Sequence, residues 1–452
     1  MKKLQGKRIL VVGLGKSGLA AVRLLRARGA HVVANDARTV EELGDAALEM
    51  HALGAELALG GHDPALFSKV DQIVLSPGVP PMAALEAAER AGVPIASEVE
   101  LASWFMNATV IGITGTNGKS TVTTLVGGMC QVSGRPTFLG GNLGTPLSEV
   151  ASSPAAHGGY VVVELSSYQL ERVSELRVQV GALLNITEDH LDRYASFQDY
   201  VTAKANLFRC QRAGDAAVIP ADDALCAQLA AAGPADVHMF GGQSGAVRVE
   251  NGELVDAVYG PLVPVSALRI RGAHNLANAA AAALCARLAG VDADAIRSVL
   301  RSFSGLPHRM QHVADIDGVS YFDDSKATNV GATVAALDGL APSVKRIVLI
   351  AGGKDKGGDY APMRERLERC ARAVIVIGEA RPIIKRALAD ATYPVTEAES
   401  LEGAVEAARR NAQAGDAVLL APACASFDMF RSYAHRGEVF QAAVQRLHGG
   451  SA

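Results

Sequence analysis

Short apolar runs alternate with segments of helical periodicity along most of the chain. The runs that predict strands are brief, rich in Val and Ile, and mostly followed by glycine, serine or an acidic residue: 8–12, 31–35, 71–75, 110–114, 160–163, 180–186, 320–322, 346–351, 373–377 and 417–420. Strands that alternate with helices predict parallel sheets covered by helices on both faces. The predicted fold class is therefore α/β.

Local signals add detail to this pattern. Thr39-Val40-Glu41-Glu42 fits a capping box and predicts a helix start, and residues 98–106 and an Ala-rich segment after His274 predict further helices. Asn251-Gly252 lies between two β-type runs, 247–250 and 253–258, and predicts a hairpin, because its residues tolerate the positive φ of a tight turn.

The strand and helix pattern divides the chain into three segments. A new β-type run begins near residue 109, and Gly305-Leu306-Pro307 interrupts the pattern again. We place the domains at 1–107, 108–306 and 307–452, which agrees with a prior of roughly 150 residues per domain.

Composition narrows the class of protein. Lys and Arg number 43 and Asp and Glu 47, so the net charge of −4 excludes a protein that coats nucleic acid with positive charge. No apolar run approaches the roughly 18 residues of a membrane span, and the basic N-terminus leads into a strand, so a cytoplasmic protein is expected. The six cysteines are scattered, which favours free thiols over a zinc site or disulfides.

A glycine-rich loop follows the first strand. Gly13-Leu14-Gly15-Lys16-Ser17-Gly18 has the G-x-G-x-x-G spacing that lets a backbone approach a pyrophosphate at a helix N-terminus. Asp36 ends the next strand, where an acid is placed to bind a ribose hydroxyl. This motif predicts nucleotide binding but does not separate a dinucleotide from a uridine diphosphate.

A second phosphate loop is more specific. Gly115-Thr116-Asn117-Gly118-Lys119-Ser120-Thr121 lies between a strand and a helix, so its amides would cradle phosphates, Lys119 would reach the β- and γ-phosphates, and Ser120 would hold Mg²⁺. The general motif has glycine where this chain has Ile113, so only its Gly-Lys-Ser core is matched. The loop predicts ATP binding.

Acidic residues and a histidine follow two later strands. Glu164 comes directly after the run 160–163, and Glu188, Asp189 and His190 follow the run 180–186. Strand ends are where α/β folds place their sites, so we expect functional roles for this cluster.

These residues resemble the Mur ligases, the ATP-dependent amide-forming enzymes of peptidoglycan synthesis. The resemblance covers essentially the whole chain. It is carried by the second phosphate loop, Glu164 with its following serines, Asn185-x-Thr187-x-Asp189-His190, His274-Asn275-x-x-Asn278 and Leu306-Pro307-His308-Arg309. Two stretches, Asp323–Asn329 and Pro422–Asp428, are similar to the branch that adds D-glutamate.

The resemblance implies three domains, Rossmann-like, P-loop mononucleotide-binding and Rossmann-like, that bind a UDP-linked substrate, ATP and D-glutamate in that order. The residues implied for the UDP-linked substrate are Gly15, Ser17, Asp36, Arg38, Gly78 and Asn142. Those implied for ATP are Gly115, Thr116, Asn117, Gly118, Lys119, Ser120, Thr121, Asn275, Asn278, Arg309 and Asp324. Those implied for D-glutamate are Thr328, Lys356, Ser426, Phe427 and Tyr433, with Lys354 as an open alternative to Lys356.

The resemblance also implies two Mg²⁺ ions and a carbamylated lysine. Ser120 and Glu164 would hold one ion, and His190 with a carbamate on Lys204 the other. From the residues alone, Lys204 would be a solvated helix lysine. The expected catalytic set is Lys119, Glu164, His190, Lys204 and Lys326.

The implied reaction joins D-glutamate to UDP-N-acetylmuramoyl-L-alanine through an acyl phosphate. The expected partners are small molecules, without nucleic acid or membrane, and a monomer is expected. The alternatives are a sister Mur ligase or a folylpolyglutamate-type ligase using another amino acid, a non-catalytic nucleotide switch, and a dehydrogenase.

Overall fold

The computed structural model describes residues 2–190, 193–270 and 272–449. Its strands form three sheets of five, nine and six strands, which follow one another along the chain. Two compact units result: the first contains the first two sheets, and the second contains the third sheet with the segments Thr187–Phe197 and Leu268–Leu276. None of the described helices combines the length and the apolar character that crossing a bilayer requires.

The first sheet is wholly parallel, with the strand order β3-β2-β1-β4-β5. Its strands are β1 Arg8–Val12, β2 His31–Asp36, β3 Glu56–Leu59, β4 Gln72–Leu75 and β5 Ile95–Ser97. Its helices are α1 Lys16–Ala27, α2 Val40–Leu43, α3 Asp45–Ala52, α4 Pro64–Phe67, α5 Ala83–Arg90 and α6 Glu98–Ser103. The order reverses at β1, which makes the gap between β1 and β4 a topological switch point.

Both faces of this sheet are covered. In β1, Ile9 and Val11 belong to one buried cluster, and Leu10 and Val12 belong to another. Successive side chains of a strand point to opposite faces, so a run that is apolar at every position is buried on both sides.

The second sheet has the order β14-β13-β12-β11-β10-β9-β6-β8-β7 and is parallel except for its last two pairings, β12 with β13 and β13 with β14. Its strands are β6 Asn107–Thr114, β7 Thr137–Gly141, β8 His157–Glu164, β9 Val180–Leu183, β10 Ala216–Pro220, β11 Asp236–Phe240, β12 Val247–Glu250, β13 Glu253–Asp256 and β14 Gly260–Pro264. The helices of this region are α7 Lys119–Val132, α8 Ser167–Leu170, α9 Phe197–Ala205, α10 Ala224–Ala231, α11 Ala273–Leu288 and α12 Ala293–Ser302.

The third sheet has the order β15-β16-β20-β17-β18-β19, with β15 and β16 antiparallel. Its strands are β15 Gln311–Ile316, β16 Val319–Asp323, β17 Ile347–Gly352, β18 Ala371–Ile377, β19 Val395–Glu397 and β20 Ala417–Leu420. Its helices are α13 Val330–Leu340, α14 Ala361–Cys370, α15 Arg381–Ala387, α16 Leu401–Asn411 and α17 Tyr433–Gly449. The three-part α/β fold predicted from the sequence is confirmed.

Local predictions vary in accuracy. β1 and β20 have the predicted bounds, Thr39 caps α2 in a capping box with Glu42, and Asn251 and Gly252 have the positive φ values of 51° and 80° expected of the hairpin turn. The helix predicted over 98–106 is shorter and ends at Ser103, and the strand predicted over 180–186 ends at Leu183.

Candidate active site

A cavity of about 410 Å³ opens at the carboxyl ends of β1, β2 and β4. Five of the six residues predicted for the UDP-linked substrate line it: Gly15, Ser17, Asp36, Arg38 and Gly78. The cavity lies at the switch point of the sheet, where ligands of doubly wound folds bind. Asn142, the sixth residue, follows β7 of the second sheet.

The glycine loop beside this cavity is tightly packed. A Cβ at Gly18 would lie 2.0 Å from the carbonyl oxygen of Gly13, so glycine is required there. Gly15 is the N-cap of α1 and has no side chain with which to cap the helix. The first amides of α1 are therefore suited to a phosphate.

Asp36 organises the rim of the cavity. Its Oδ2 accepts from the amide of Leu14 at 2.7 Å and from Nη2 of Arg38 at 2.8 Å, and its Oδ1 accepts from Nε of Arg38 at 2.9 Å. Burial alone would raise the pKa of Asp36, but the bonds from Arg38 and Leu14 outweigh it and hold that pKa well below the ordinary range. Asp36 therefore fixes both the glycine loop and the Arg38 guanidinium.

The second phosphate loop joins β6 to α7. Ile113, which departs from the general motif, lies within β6 and pairs with Glu164 of β8, so the loop itself begins after Thr114. Gly118 is the N-cap of α7 with a φ of 85°, and a Cβ there would lie 2.4 Å from Oδ1 of Asn278. Nζ of Lys119 donates to the carbonyl oxygens of Gly115 and Thr116, both at 2.7 Å.

Asn185 braces this loop from the end of β9. Its carbonyl oxygen accepts from the amide of Thr116 at 2.9 Å, and its Oδ1 accepts from the amide of Asn117 at 2.8 Å. Its Nδ2 donates back to the carbonyl oxygen of Asn117 at 3.1 Å. The loop is thus held in shape from both the strand that precedes it and the next strand of the sheet.

Glu164 has the surroundings expected of a carboxylate that binds a cation. It is 2% exposed, its Oε1 accepts from Nδ2 of Asn142 at 2.6 Å, and its Oε2 has no hydrogen-bond partner among the described residues. Ser120, in the first turn of α7, is 5% exposed. A buried carboxylate oxygen without a partner is costly unless a cation compensates it, so these residues fit Mg²⁺.

The described residues around Glu164 do not form a dense cluster of metal-ligating side chains. Among the described residues, no group of three or more His, Cys, Asp or Glu is placed to hold a metal ion. Mg²⁺ commonly takes one or two protein ligands and completes its shell with phosphate oxygens and water. Ser120 and Glu164, the two residues that fit Mg²⁺ here, match that number of protein ligands.

Lys204 is buried. It lies on α9 with 1% exposure, donates to the carbonyl oxygen of Gly115 at 2.8 Å, and has its Nζ 4.7 Å from the centre of the Tyr200 ring. Tyr200 in turn hydrogen-bonds Thr116 at 3.0 Å. The residue-based expectation of a solvated lysine is wrong, because α9 packs this face against the phosphate loop.

Asp189 lies in the second unit, in a cavity of about 410 Å³. It accepts from Nζ of Lys356 at 3.1 Å and from Nδ2 of Asn329 at 3.0 Å. Burial would raise the pKa of Asp189, but Lys356 and His190 outweigh burial and lower it, so the carboxylate is ionised. His190 has a positive φ of 57°, and the residues that follow it, Leu191 and Asp192, lie outside the described residues.

A larger cavity, of about 700 Å³, lies elsewhere in the second unit. Asn275 and Arg309, both predicted nucleotide contacts, line it with His274 and Pro307. Asp324 is buried, and burial raises its pKa to about 7 against the opposing effect of Arg309. Asn278, by contrast, lies beside the phosphate loop of the first unit.

Four of the residues predicted for D-glutamate lie on loops that follow strands of the third sheet, and Tyr433 is the first residue of α17. Lys356 is half-buried against Asp189, whereas Lys354 is exposed and pairs through its backbone with Ala425. Ser426 is buried, Phe427 is 73% exposed, and Nζ of Lys326 lies 3.9 Å from the centre of the Tyr433 ring. Thr328 donates its amide to the carbonyl oxygen of Lys326 at 2.8 Å.

Sequence reasoning missed Arg436. This side chain is fully buried, and it donates to the carbonyl oxygens of Ser325, Cys424 and Ala425 and to Oγ of Ser325 over 2.8 to 3.3 Å. It therefore ties together the two loops that carry Lys326 and Ser426. Arg436 follows His435 on α17 without a motif of its own, so the sequence offered no signal for it.

Comparison with known proteins places the chain in a family. Residues 7–97 match the model of the MurD-like N-terminal domain of Mur ligases, residues 113–286 the Mur ligase middle domain, and residues 308–424 the Mur ligase glutamate ligase domain. The chain belongs to the Mur ligase family.

The curated relatives of the chain indicate which branch of the family it resembles. The chain is 44% identical to UDP-N-acetylmuramoylalanine–D-glutamate ligase of Geotalea daltonii and 45% identical to the enzyme of that name from Myxococcus xanthus, with at least 98% of each chain covered. Among solved structures, a pseudomurein peptide ligase type C from Methanothermus fervidus shares the fold, with a TM-score of 0.63, 22% identity, and coverage of 98% of this chain and 100% of that one. Membership in a ligase family rules out the dehydrogenase alternative.

Proposed function

We propose that the chain joins D-glutamate to UDP-N-acetylmuramoyl-L-alanine at the expense of ATP, as the D-glutamate-adding (MurD) step of peptidoglycan precursor synthesis. One observation carries the proposal: a phosphate loop beside a buried carboxylate, Glu164, whose Oε2 has no partner among the described residues, in a chain related along its whole length to D-glutamate ligases. ATP and Mg²⁺ use follow from family membership.

The reaction has two steps. A carboxylate oxygen of the L-alanyl group attacks the γ-phosphorus of ATP, the bond to the β,γ-bridging oxygen breaks, and ADP leaves an acyl phosphate behind. The amine of D-glutamate then attacks the acyl carbon, loses a proton, and expels phosphate to form the amide. Negative charge develops in both steps, so positioned cations and amide donors supply the catalysis.

The first-domain cavity takes the uridine diphosphate. We assign Gly15, Ser17, Asp36, Arg38 and Gly78 to it, supported by their common lining of one cavity at the switch point. Asn142 is a further substrate contact, supported by its position beside Glu164.

ATP takes the second phosphate loop. The loop amides and Lys119 hold the β- and γ-phosphates, because they lie at the N-terminus of α7 where anions are favoured. The full proposed set is Gly115, Thr116, Asn117, Gly118, Lys119, Ser120, Thr121, Asn275, Asn278, Arg309 and Asp324.

Two Mg²⁺ ions would neutralise phosphate charge when bound. Ser120 and Glu164 are the proposed ligands of one, and His190 and a carbamate on Lys204 those of the other. The burial of Lys204 supports this modification, because a charged amine is costly to bury. A carbamate at the same position would instead be an anionic oxygen ligand for Mg²⁺.

The third domain takes D-glutamate. We assign Thr328, Lys356, Ser426, Phe427 and Tyr433 to it, and Lys326 to the charge that develops at the acyl phosphate. Lys356 is preferred to Lys354 because it is half-buried at a cavity, whereas Lys354 is exposed.

The same proposal fixes the organisation of the protein. We place the domains at 1–107, 108–306 and 307–452; each contains the strands of one sheet, except that β6 of the second sheet begins at Asn107. We propose a monomer in the cytoplasm whose partners are these small molecules, without nucleic acid or membrane.

The test is phosphate release from ATP with UDP-N-acetylmuramoyl-L-alanine, compared among D-glutamate, L-glutamate, L-alanine and no amino acid. Release with D-glutamate alone, together with a product heavier by one glutamyl residue, supports the proposal. Release with another amino acid would establish a sister or folylpolyglutamate-type ligase. An absence of release with all of them, in a buffer that contains bicarbonate and Mg²⁺, would favour the nucleotide switch.

A further inference from the structure

Two buried carboxylates lie on the short segment between the first and second sheets. Glu98 and Glu100, on α6, are each 1% exposed. In the described part of the chain, neither carboxylate forms a salt bridge with a lysine or arginine. Buried carboxylates are costly without compensation, so their partners indicate what they do.

Glu100 is compensated by the backbone of the second sheet's region. Its Oε1 accepts from the amide of Glu175 and from Oγ of Ser174, both at 2.8 Å, and its Oε2 accepts from the amides of Ser174 and Leu176, both at 3.1 Å. Three consecutive amides and a hydroxyl thus converge on one anion, with two donors on each oxygen. Such charge-assisted bonds are stronger than neutral ones.

The neighbouring residues reinforce this attachment. Oε1 of Glu98 accepts from the amide of Ser148 at 2.5 Å, and Ser97 donates its amide and hydroxyl to the carbonyl oxygen of Arg172 at 3.3 and 3.2 Å. The segment 97–100 therefore contacts three places in the second sheet's region.

The anchored backbone is connected to the phosphate loop through β9 and Asn185. Residues 174–176 lie between Glu164, at the end of β8, and β9, whose end carries the Asn185 that braces Thr116 and Asn117. The other end of the segment belongs to the sheet whose switch-point cavity takes the uridine diphosphate.

We propose that Glu100 is a positioning residue that fixes the UDP-substrate cavity relative to the ATP phosphate loop. The inference rests on the proposed ligation, in which a carboxylate held by the first domain attacks a phosphate held by the second. Misplacement of reacting groups by about 1 Å costs on the order of 100-fold in rate. A residue that sets this separation is expected to change kcat more than either Kd, because most of the residues assigned to each ligand lie within a single domain.

The test compares Glu100→Gln with a matched control, Glu89→Gln. Glutamine keeps the size of Glu100 but replaces one carboxylate oxygen with an amide NH₂ group, which cannot accept the two hydrogen bonds that this oxygen accepts. Glu89 contacts Arg172 across the same boundary at 2.5 Å, but it is 45% exposed, so its loss is expected to have little effect.

Four quantities are measured for each variant: the Kd of a nonhydrolysable ATP analogue, the Kd of UDP-N-acetylmuramoyl-L-alanine, kcat and the melting temperature. Glu100→Gln is expected to lower kcat by roughly 10- to 100-fold with both Kd values within about twofold of the unsubstituted protein. Unchanged kcat would overturn the inference. Parallel loss of both affinities and kcat would also overturn it, since it would indicate general structural damage.

A second measurement does not depend on turnover. Nitroxide labels at Leu48→Cys on α3 and Val132→Cys on α7, both exposed, report the distance between the two regions by pulsed EPR in a Cys210→Ser background. Glu100→Gln is expected to broaden the distance distribution, and Glu89→Gln to leave it unchanged. An equally narrow distribution in both variants would overturn the inference. If the unsubstituted protein made no product, the proposed function would fail, while the EPR result would still judge the attachment.

Discussion

Gly118 is where the backbone of the phosphate loop most clearly forbids a side chain. Its φ of 85° is unfavourable for residues with a Cβ, and that Cβ would lie 2.4 Å from Oδ1 of Asn278. Gly118→Ala therefore incurs two costs. The left-handed conformation costs roughly 1–2 kcal/mol, and the contact forces Asn278, which is 9% exposed, to move.

Gly134 offers a control for the first cost alone. It follows the other end of α7, with a φ of 83°, and a Cβ there would meet no atom of the described residues within 4 Å. Gly134→Ala thus carries the same backbone strain without the contact. The difference between the two variants, in free energy of unfolding and in nucleotide affinity, therefore measures the cost of displacing the loop and Asn278.

Gly134→Ala is expected to lose roughly 1–2 kcal/mol of stability, and Gly118→Ala at least as much. Only Gly118→Ala is expected to lose nucleotide affinity, by at least about tenfold, or about 1.4 kcal/mol, because its amide and those beside it form the phosphate cradle. Calorimetric titration with a nonhydrolysable ATP analogue and Mg²⁺ measures the affinity, and thermal melting monitors the strain.

The reasoning would be refuted if the two variants bound the analogue equally tightly. Equal affinity would mean that Asn278 moves without cost or that the cradle does not limit binding. A loss of affinity in Gly134→Ala as large as in Gly118→Ala would also refute it, because the effect would then come from helix α7 as a whole.

Four further predictions address the remaining site residues. Glu164→Gln is expected to lower phosphate release at least roughly 100-fold at all Mg²⁺ concentrations, and a normal Mg²⁺ titration would contradict its role as a ligand. A carbamate on Lys204 predicts activity that falls when bicarbonate is stripped and returns on its addition; indifference to bicarbonate would exclude it. The pKa of Asp324 is raised to about 7 from an ordinary 3.8, so the folded state binds a proton more tightly than the unfolded state does. As pH falls from about 8 to about 5, the melting temperature of the unsubstituted protein is therefore expected to rise relative to that of Asp324→Asn. A difference in melting temperature that stays constant over this range would contradict the prediction. Lys356→Met is expected to raise the KM for D-glutamate at least roughly tenfold while Lys354→Met leaves it unchanged, and the reverse result would reassign the ligand.

The sequence predicted the parts of the site that depend on local backbone geometry. The loops 13–18 and 115–121 were recognisable because glycine spacing between a strand and a helix is a local signal. Glu164 was found for a similar reason, since it ends a buried strand. The bounds of the helix predicted over 98–106 were wrong by three residues, because helix ends depend on packing as well as on propensity.

The sequence did not predict which charged side chains are buried, and the structure shows why. Lys204 is anchored by the carbonyl oxygen of Gly115, Arg436 by carbonyl oxygens of two loops, and Glu100 by three consecutive amides. Each of these partners is a backbone group, which every residue carries and which leaves no trace in the residue pattern. A search for opposite charges at suitable spacing therefore passes over all three. A hydrogen bond to the backbone constrains the path of a loop more directly than a bond to a side chain does. These three contacts are therefore well placed to hold the phosphate loop and the loops of the third sheet in their conformations.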